Sequence, residues 1–128
     1  MASFARRFLV ARAYYELLRY DCIQVVFGFQ GILKSLERTR TRSVRGMPPT
    51  GEIERALGTA CCFYLKRVWC LQRSTVLVRL LRQQGVPAEV VVGYRPVPFA
   101  SHSWVEYNGR TINDSAAYQS QLEVLLRA

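Results

Sequence analysis

CLQRSTVLVRLLRQQGVPAEVVVGYR, residues 70–95, is the stretch on which the fold turns. Ser74, Leu77 and Leu81 follow Cys70 at helical spacing, with Leu80 and Gln84 flanking that face, and Gly85 stands where a helix needs a left-handed C′ residue. AEVVVGYR (88–95) then reads as a buried strand. A helix that opens on a cysteine and returns as a strand places one thiol at the positive end of a helix dipole. Such an end favours a thiolate over a thiol, and Arg67 and Arg73 add positive charge close by in sequence.

Working outward toward the C-terminus, Pro96 and Pro98 mark a loop, and SHSWVEYNGRTIND (101–114) reads as a hairpin around Asn108-Gly109. It holds the chain's only histidine, His102. Two registers are open. A two-residue I′ turn pairs Tyr107 with Arg110 and puts His102 and Asp114 on opposite faces. A three-residue loop with Gly109 as a G1 bulge pairs Glu106 with Arg110, Trp104 with Ile112 and His102 with Asp114. Only the bulged register sets imidazole and carboxylate side by side, although Val105 opposite Ile112 in the first is equally sensible.

Toward the N-terminus, Phe4, Phe8, Ala11, Tyr15 and Leu18 recur at helical spacing, and this stripe is expected to pack on the rest of the chain. A second helix is expected over about residues 23–37, with Val26, Phe29, Leu33 and Leu36 on one face and Gly28 and Gly31 weakening it. RTRTRSVRGMPPTG (38–51) reads as a basic linker. Thr50 can cap a helix beginning near Glu52 and running through ALGTACCFYL. Helices followed by a small antiparallel sheet make an α+β pattern. Residues 1–47 form a helical arm and 48–128 the core, in 128 residues that suit one domain.

With 18 Lys and Arg against 9 Asp and Glu, the formal charge is +9, which favours anionic partners without choosing among them. Arg12 interrupts the first apolar run too early for a signal peptide, and CIQVVFGFQGIL is too short to cross a bilayer. The expectation is a cytoplasmic protein without a transmembrane segment, whose cysteines are reduced. Cys22, Cys61 and Cys62 are then expected to be small buried hydrophobes. Adjacent Cys61 and Cys62 lack zinc-site spacing, and with a single histidine no metal site is expected.

Cysteine at a helix start, histidine on a strand and aspartate beyond it follow the order of a nucleophile, its base and an orienting acid. The same order occurs in transglutaminase-like cysteine enzymes. CLQRSTVLVRLLRQQG followed by AEVVVGYRPVPFASHSWVEYNGRTIND further resembles the signature of the lasso peptide leader peptidases, over roughly residues 66–120. That family's pattern carries a proline shortly before the nucleophile, where this chain reads LKRVWC.

The resemblance implies a transglutaminase-like, papain-like core with its nucleophile at a helix N-terminus packed on a small antiparallel sheet. It makes Cys70 the nucleophile, His102 the base and Asp114 the orienting acid of a peptidase that needs no cofactor. It also implies a precursor leader peptide as substrate, a separate leader-recognition protein that carries it, and an ATP-dependent lactam-forming cyclase acting on the released core. Two alternatives stand beside it. One is a non-enzymatic peptide-binding relative of the same fold. The other is a small basic nucleic-acid-binding protein, disfavoured because no nucleic-acid motif is present.

Overall fold

A computed structural model of the chain describes residues 2–41, 50–97, 99–112 and 122–128. Three helices, α1 (Ala2–Arg38), α2 (Thr50–Phe63) and α3 (Cys70–Gln83), precede four strands, β1 (Glu89–Pro96), β2 (Phe99–Tyr107), β3 (Arg110–Thr111) and β4 (Glu123–Arg127). The strands form one antiparallel sheet in the order β3-β2-β1-β4. The α+β expectation holds. Most of the linker, residues 42–49, lies outside the described residues, as does Asp114.

Helix α1 is broken rather than continuous. Gly28 takes φ 68° and ψ −160°, outside helical geometry and open to glycine at little cost. The arms on either side fold back on each other, so that Arg19 Nη1 donates to Ser35 Oγ at 3.0 Å across sixteen residues of sequence. A straight helix would hold those residues about 24 Å apart. Gly31 permits the approach, since a Cβ there would stand 2.3 Å from Phe27 Cβ. Gly28 and Gly31 therefore make a turn, and the second arm starts after Gly28 instead of near Ile23.

The buried face of the first arm also differs from the expected stripe. Phe8 is 61% exposed and Tyr15 54%, while Ala13, Glu16, Leu17 and Tyr20 are buried. In the second arm Ile32 and Leu36 are buried whereas Phe29 is exposed, and Val26, at the end of the first arm, is exposed too. The cause is Glu16, which lies inside because Arg79 Nε of α3 donates to its Oε2 at 2.7 Å. A charged residue that would ordinarily mark the wet side of a helix here marks the dry one.

Helix α2 buries Ile53, Leu57 and Ala60 in the same core. Its cysteines correct a second expectation: Cys62 and Cys22 are exposed and Cys61 is half-buried. Helix α3 ends as the sequence predicts. Gly85 has φ 90°, Val86 N–H donates to Leu81 O (2.9 Å) and Gly85 N–H to Arg82 O (3.1 Å), which is the Schellman closure. Arg82 then reaches back to cap the end of α1, donating to Leu36 O at 2.8 Å and Thr39 O at 3.2 Å.

The hairpin settles on the two-residue turn. Asn108 (φ 55°) and Gly109 (φ 76°) are both left-handed, Tyr107 pairs with Arg110, and Ile112 N–H donates to Val105 O at 2.9 Å. This is the I′ geometry, whose twist matches that of the strands, and it overturns the bulged register. Glu106 consequently pairs with Thr111, and its charge partner is Arg127 of β4 (3.0 Å) in place of Arg110. Strand β4, absent from the sequence reading, lies along the other side of β1.

Alternation divides the sheet. Val90 and Val105 join the helices in the main core, whereas Val91, Trp104 and Leu122 form a separate buried cluster on the reverse face. Gly93 makes room for Trp104: a Cβ there would sit 2.7 Å from Cη2 and 2.9 Å from Cζ3 of the indole. Gly93→Ala is therefore expected to destabilise the fold by about 1–3 kcal/mol, as overpacking does. An unchanged urea midpoint would contradict that.

Candidate functional site

Helix α3 runs away from Cys70, β1 returns along it after Gly85, and β2 comes back antiparallel to β1. The start of α3 and the start of β2 thus lie at one end of the two layers, bringing Cys70 and His102 to the same end. Cys70 is exposed there as the first residue of α3. Trp69 precedes it in an extended conformation (φ −83°, ψ 166°) and supplies no side-chain cap. The turn into the helix is thus made without the proline of the resembling pattern. The first helical bond runs from Arg73 N–H to Trp69 O at 3.0 Å, so the N–H groups of Cys70, Leu71 and Gln72 have no carbonyl of a preceding turn to meet.

The charges near the thiol are distributed differently from their sequence positions. Arg67 lies over the Trp69 ring, 4.6 Å from its centroid. Arg73 leans toward α2, where its charge acts on Glu54 and Cys61. From α1, Tyr20 approaches closely enough to feel Cys70. Burial, Asp21 and Cys70 together push its phenol up to about 12, so it remains a neutral O–H group.

A polar network that the sequence reading missed holds this turn in place. Buried Gln72 donates through Nε2 to Leu17 O (3.2 Å) and to Asp21 Oδ2 (3.2 Å). Lys66 Nζ donates to Gln72 Oε1 (3.3 Å) and pairs with Asp21 Oδ1 (3.1 Å), and Tyr64 O–H donates to Asp21 Oδ2. Burial foremost, with Asp21, pushes the Tyr64 phenol well up, so it stays a donor. The available signal was Gln72 itself, a polar residue four before Val76 on an otherwise buried stripe.

His102 is half-buried on β2, its ring stacked on Trp104 with centroids 6.2 Å apart. Trp104 Nε1–H donates to Glu106 Oε2 at 2.7 Å, and Glu106 Oε1 accepts from Arg127 at 3.0 Å. Burial alone would raise the Glu106 carboxyl, but these two donors and the Arg127 charge hold it below the usual range. His102, Trp104 and Glu106 share one sheet face by parity, the face opposite Ser103 and Val105. Val105 packs against α3, so the imidazole shares an end with Cys70 but not a face. Among the described residues no hydrogen bond joins the two. Ser74 of α3 and Ser103 of β2 bury hydroxyls without a partner among the described residues.

Exposure does not single out Cys70 from Cys22 and Cys62. Burial pushes the Cys61 thiol up, against the pull of Arg73. Iodoacetamide is expected to alkylate Cys22, Cys62 and Cys70 of the folded protein well before Cys61, read peptide by peptide in a mass spectrometer. Equal rates at all four would refute that burial.

No three of His, Cys, Asp or Glu stand close enough to hold a metal among the described residues, and none of the described helices is long and apolar enough to cross a membrane. Comparison with known proteins adds two findings. The chain is 43% identical over 56 residues to the microcin J25-processing protein McjB of Escherichia coli, covering 44% of this chain and 27% of that relative. The alignment thus spans about a quarter of the relative's length. No solved structure matches. The family model described as the transglutaminase-like superfamily matches residues 16–127, which takes in α1 from Glu16 onward, α2, the Cys70 helix and the whole sheet. The chain belongs to the transglutaminase-like superfamily.

Proposed function

We propose that this chain is a cysteine peptidase that removes the leader from a ribosomally made lasso peptide precursor, with Cys70 as nucleophile, His102 as base and Asp114 as orienting acid. The I′ register leaves that last role open because β3, whose pairing would set Asp114 opposite Ser103, ends at Thr111. The observation that carries the reading is the exposed thiol at the uncapped start of α3 in a chain of this superfamily. Local similarity to a microcin-processing protein supports the choice of a peptide substrate.

In the reaction, the Cys70 sulfur attacks the scissile carbonyl while its proton resides on His102. The free N–H groups of the first turn of α3 are the donors within reach of the resulting oxyanion. Collapse forms a thioester, and the leaving amine takes the imidazolium proton. Water, deprotonated by His102, then hydrolyses the thioester and frees the thiol. A Cys70–His102 bond requires the imidazole to leave its stack on Trp104 and turn toward α3 in the substrate complex. Residues 48–128 carry this chemistry, and the arm 1–47 completes the core and faces partners. The chain works in the cytoplasm beside a separate leader-recognition protein and an ATP-dependent lactam-forming cyclase.

One observation favours a second reading, a non-enzymatic peptide-binding relative: the imidazole stacks on Trp104, on the sheet face away from α3. Incubating the precursor and its recognition protein with this chain, read by mass spectrometry, separates the two. Leader and core fragments are expected with the wild-type chain. An intact precursor after prolonged incubation would overturn the peptidase reading.

A further inference from the structure

The fold-back of α1 at Gly28 opens a cleft of about 500 Å³ between its two arms and α3. Arg19, Lys34, Arg38 and Arg79 line it, and Ile23 and Phe27 give it an apolar wall. Four cations therefore meet in one cleft. Only Arg79 among them has a carboxylate partner within the described residues, the buried Glu16 (2.7 Å). Arg19 is held by a neutral hydroxyl, Ser35 Oγ at 3.0 Å. Lys34 and Arg38 are exposed, and neither holds an ion pair among the described residues. Burial, and next the Arg79 charge, lower the pKa of Arg19, so the two guanidinium groups repel each other across the cleft.

A protein surface ordinarily intersperses charges of both signs, and like charges gathered in a concave site focus a field that attracts anions. Lys34 and Arg38 stand one helical turn apart on the second arm, about 6 Å between Cβ atoms, with Arg19 on the first arm and Arg79 on α3. Cations arranged along a cleft beside an apolar wall fit several carboxylates strung on a chain with an apolar side chain among them, better than they fit one compact ion. We propose that this cleft binds an acidic peptide segment, its carboxylates on Lys34, Arg38 and Arg19 and an apolar side chain against Ile23 and Phe27. Arg79 lies nine residues along α3 from Cys70, about 13 Å of helix rise, so a peptide held here contacts the protein away from the thiol. The identity of the ligand rests on the peptidase reading, in which the substrate is a peptide.

The test uses the full-length Cys70→Ala protein and a fluorescein-labelled Glu-Glu-Leu-Glu-Glu peptide, read by fluorescence anisotropy, so binding is measured without cleavage. Adding Lys34→Ala and Arg38→Ala is expected to weaken binding about tenfold or more, because each removes a charge-assisted bond. Arg6→Ala with Arg7→Ala removes the same net charge from exposed positions outside the cleft and is expected to change it less than about twofold. A Gln-Gln-Leu-Gln-Gln peptide should not bind. Equal losses in the two double variants would reduce the effect to net charge and overturn the proposal, as would no binding at all. Inorganic phosphate that binds more tightly than the peptide and displaces it would reassign the cleft to a phosphate ligand. Should the wild-type chain cleave precursor while the peptide fails to bind, the cleft proposal falls and the peptidase reading stands. Binding without any cleavage gives the reverse.

Discussion

Cys70→Ala is expected to lower cleavage of the leader-bearing precursor by about a thousandfold or more, the usual consequence of removing a covalent nucleophile. The same substitution should move folding stability by less than about 0.5 kcal/mol, since the side chain is exposed and buries no neighbour. His102→Ala should be comparably severe, because without the base the sulfur keeps its proton and the leaving amine gains none. Combining the two should cost little beyond either alone, as expected of residues that act in one step. Asp114→Asn should be milder, disturbing only tautomer and orientation. Cleavage by His102→Ala at the wild-type rate would break the assignment and favour the imidazole as a structural neighbour of Trp104. A circular dichroism melt of each variant separates loss of chemistry from loss of fold.

Legibility followed locality. Helix α3 was readable from end to end because its apolar spacing, its start and its Gly85 closure all lie within sixteen residues, and each level agrees with the next. Strand β4 was not, because EVLLR shows little alternation and gains its place by pairing with β1, some thirty residues earlier. The hairpin was half-readable. Asn108-Gly109 marked the turn, but the choice between two registers depended on whether both residues adopt positive φ, which they do. That choice matters at the site, since a one-residue slip decides which side chains share a face. The thiol was visible as a residue and invisible as an environment. The groups around it, Tyr20, Asp21, Lys66 and Gln72, come from two helices and a loop, and no local pattern joins them.

Glu16 shows the same limit most sharply, and it carries the largest expected effect on stability. Its carboxylate is fully buried, with Arg79 Nε at 2.7 Å, Arg79 Nη2 at 3.3 Å and Gln83 Nε2 at 3.2 Å as donors. Burial alone would raise the Glu16 pKa, but the Arg79 bond and charge, with Gln83 and Arg19, hold it below the usual value of 4.5. Arg79→Met leaves this carboxylate buried with only the exposed Arg12, 3.6 Å away, as an ion-pair partner among the described residues, and is expected to cost about 3–5 kcal/mol in urea unfolding. Converting both partners, as Glu16→Leu with Arg79→Leu, should recover most of that loss, because no charge then remains to be desolvated. The sign with pH follows from the direction of the shift. A carboxylate whose folded pKa lies below its unfolded one stabilises the fold above the unfolded value and loses that contribution as pH falls through the folded one. Wild-type stability should therefore drop more steeply than that of the double leucine variant as pH is lowered below about 4.5, the other carboxylates being common to both. Parallel pH profiles for the two proteins would mean that Glu16 has the same pKa in the folded and unfolded chain. The pair would then tie α1 to α3 by hydrogen bonding, with no contribution from ionisation.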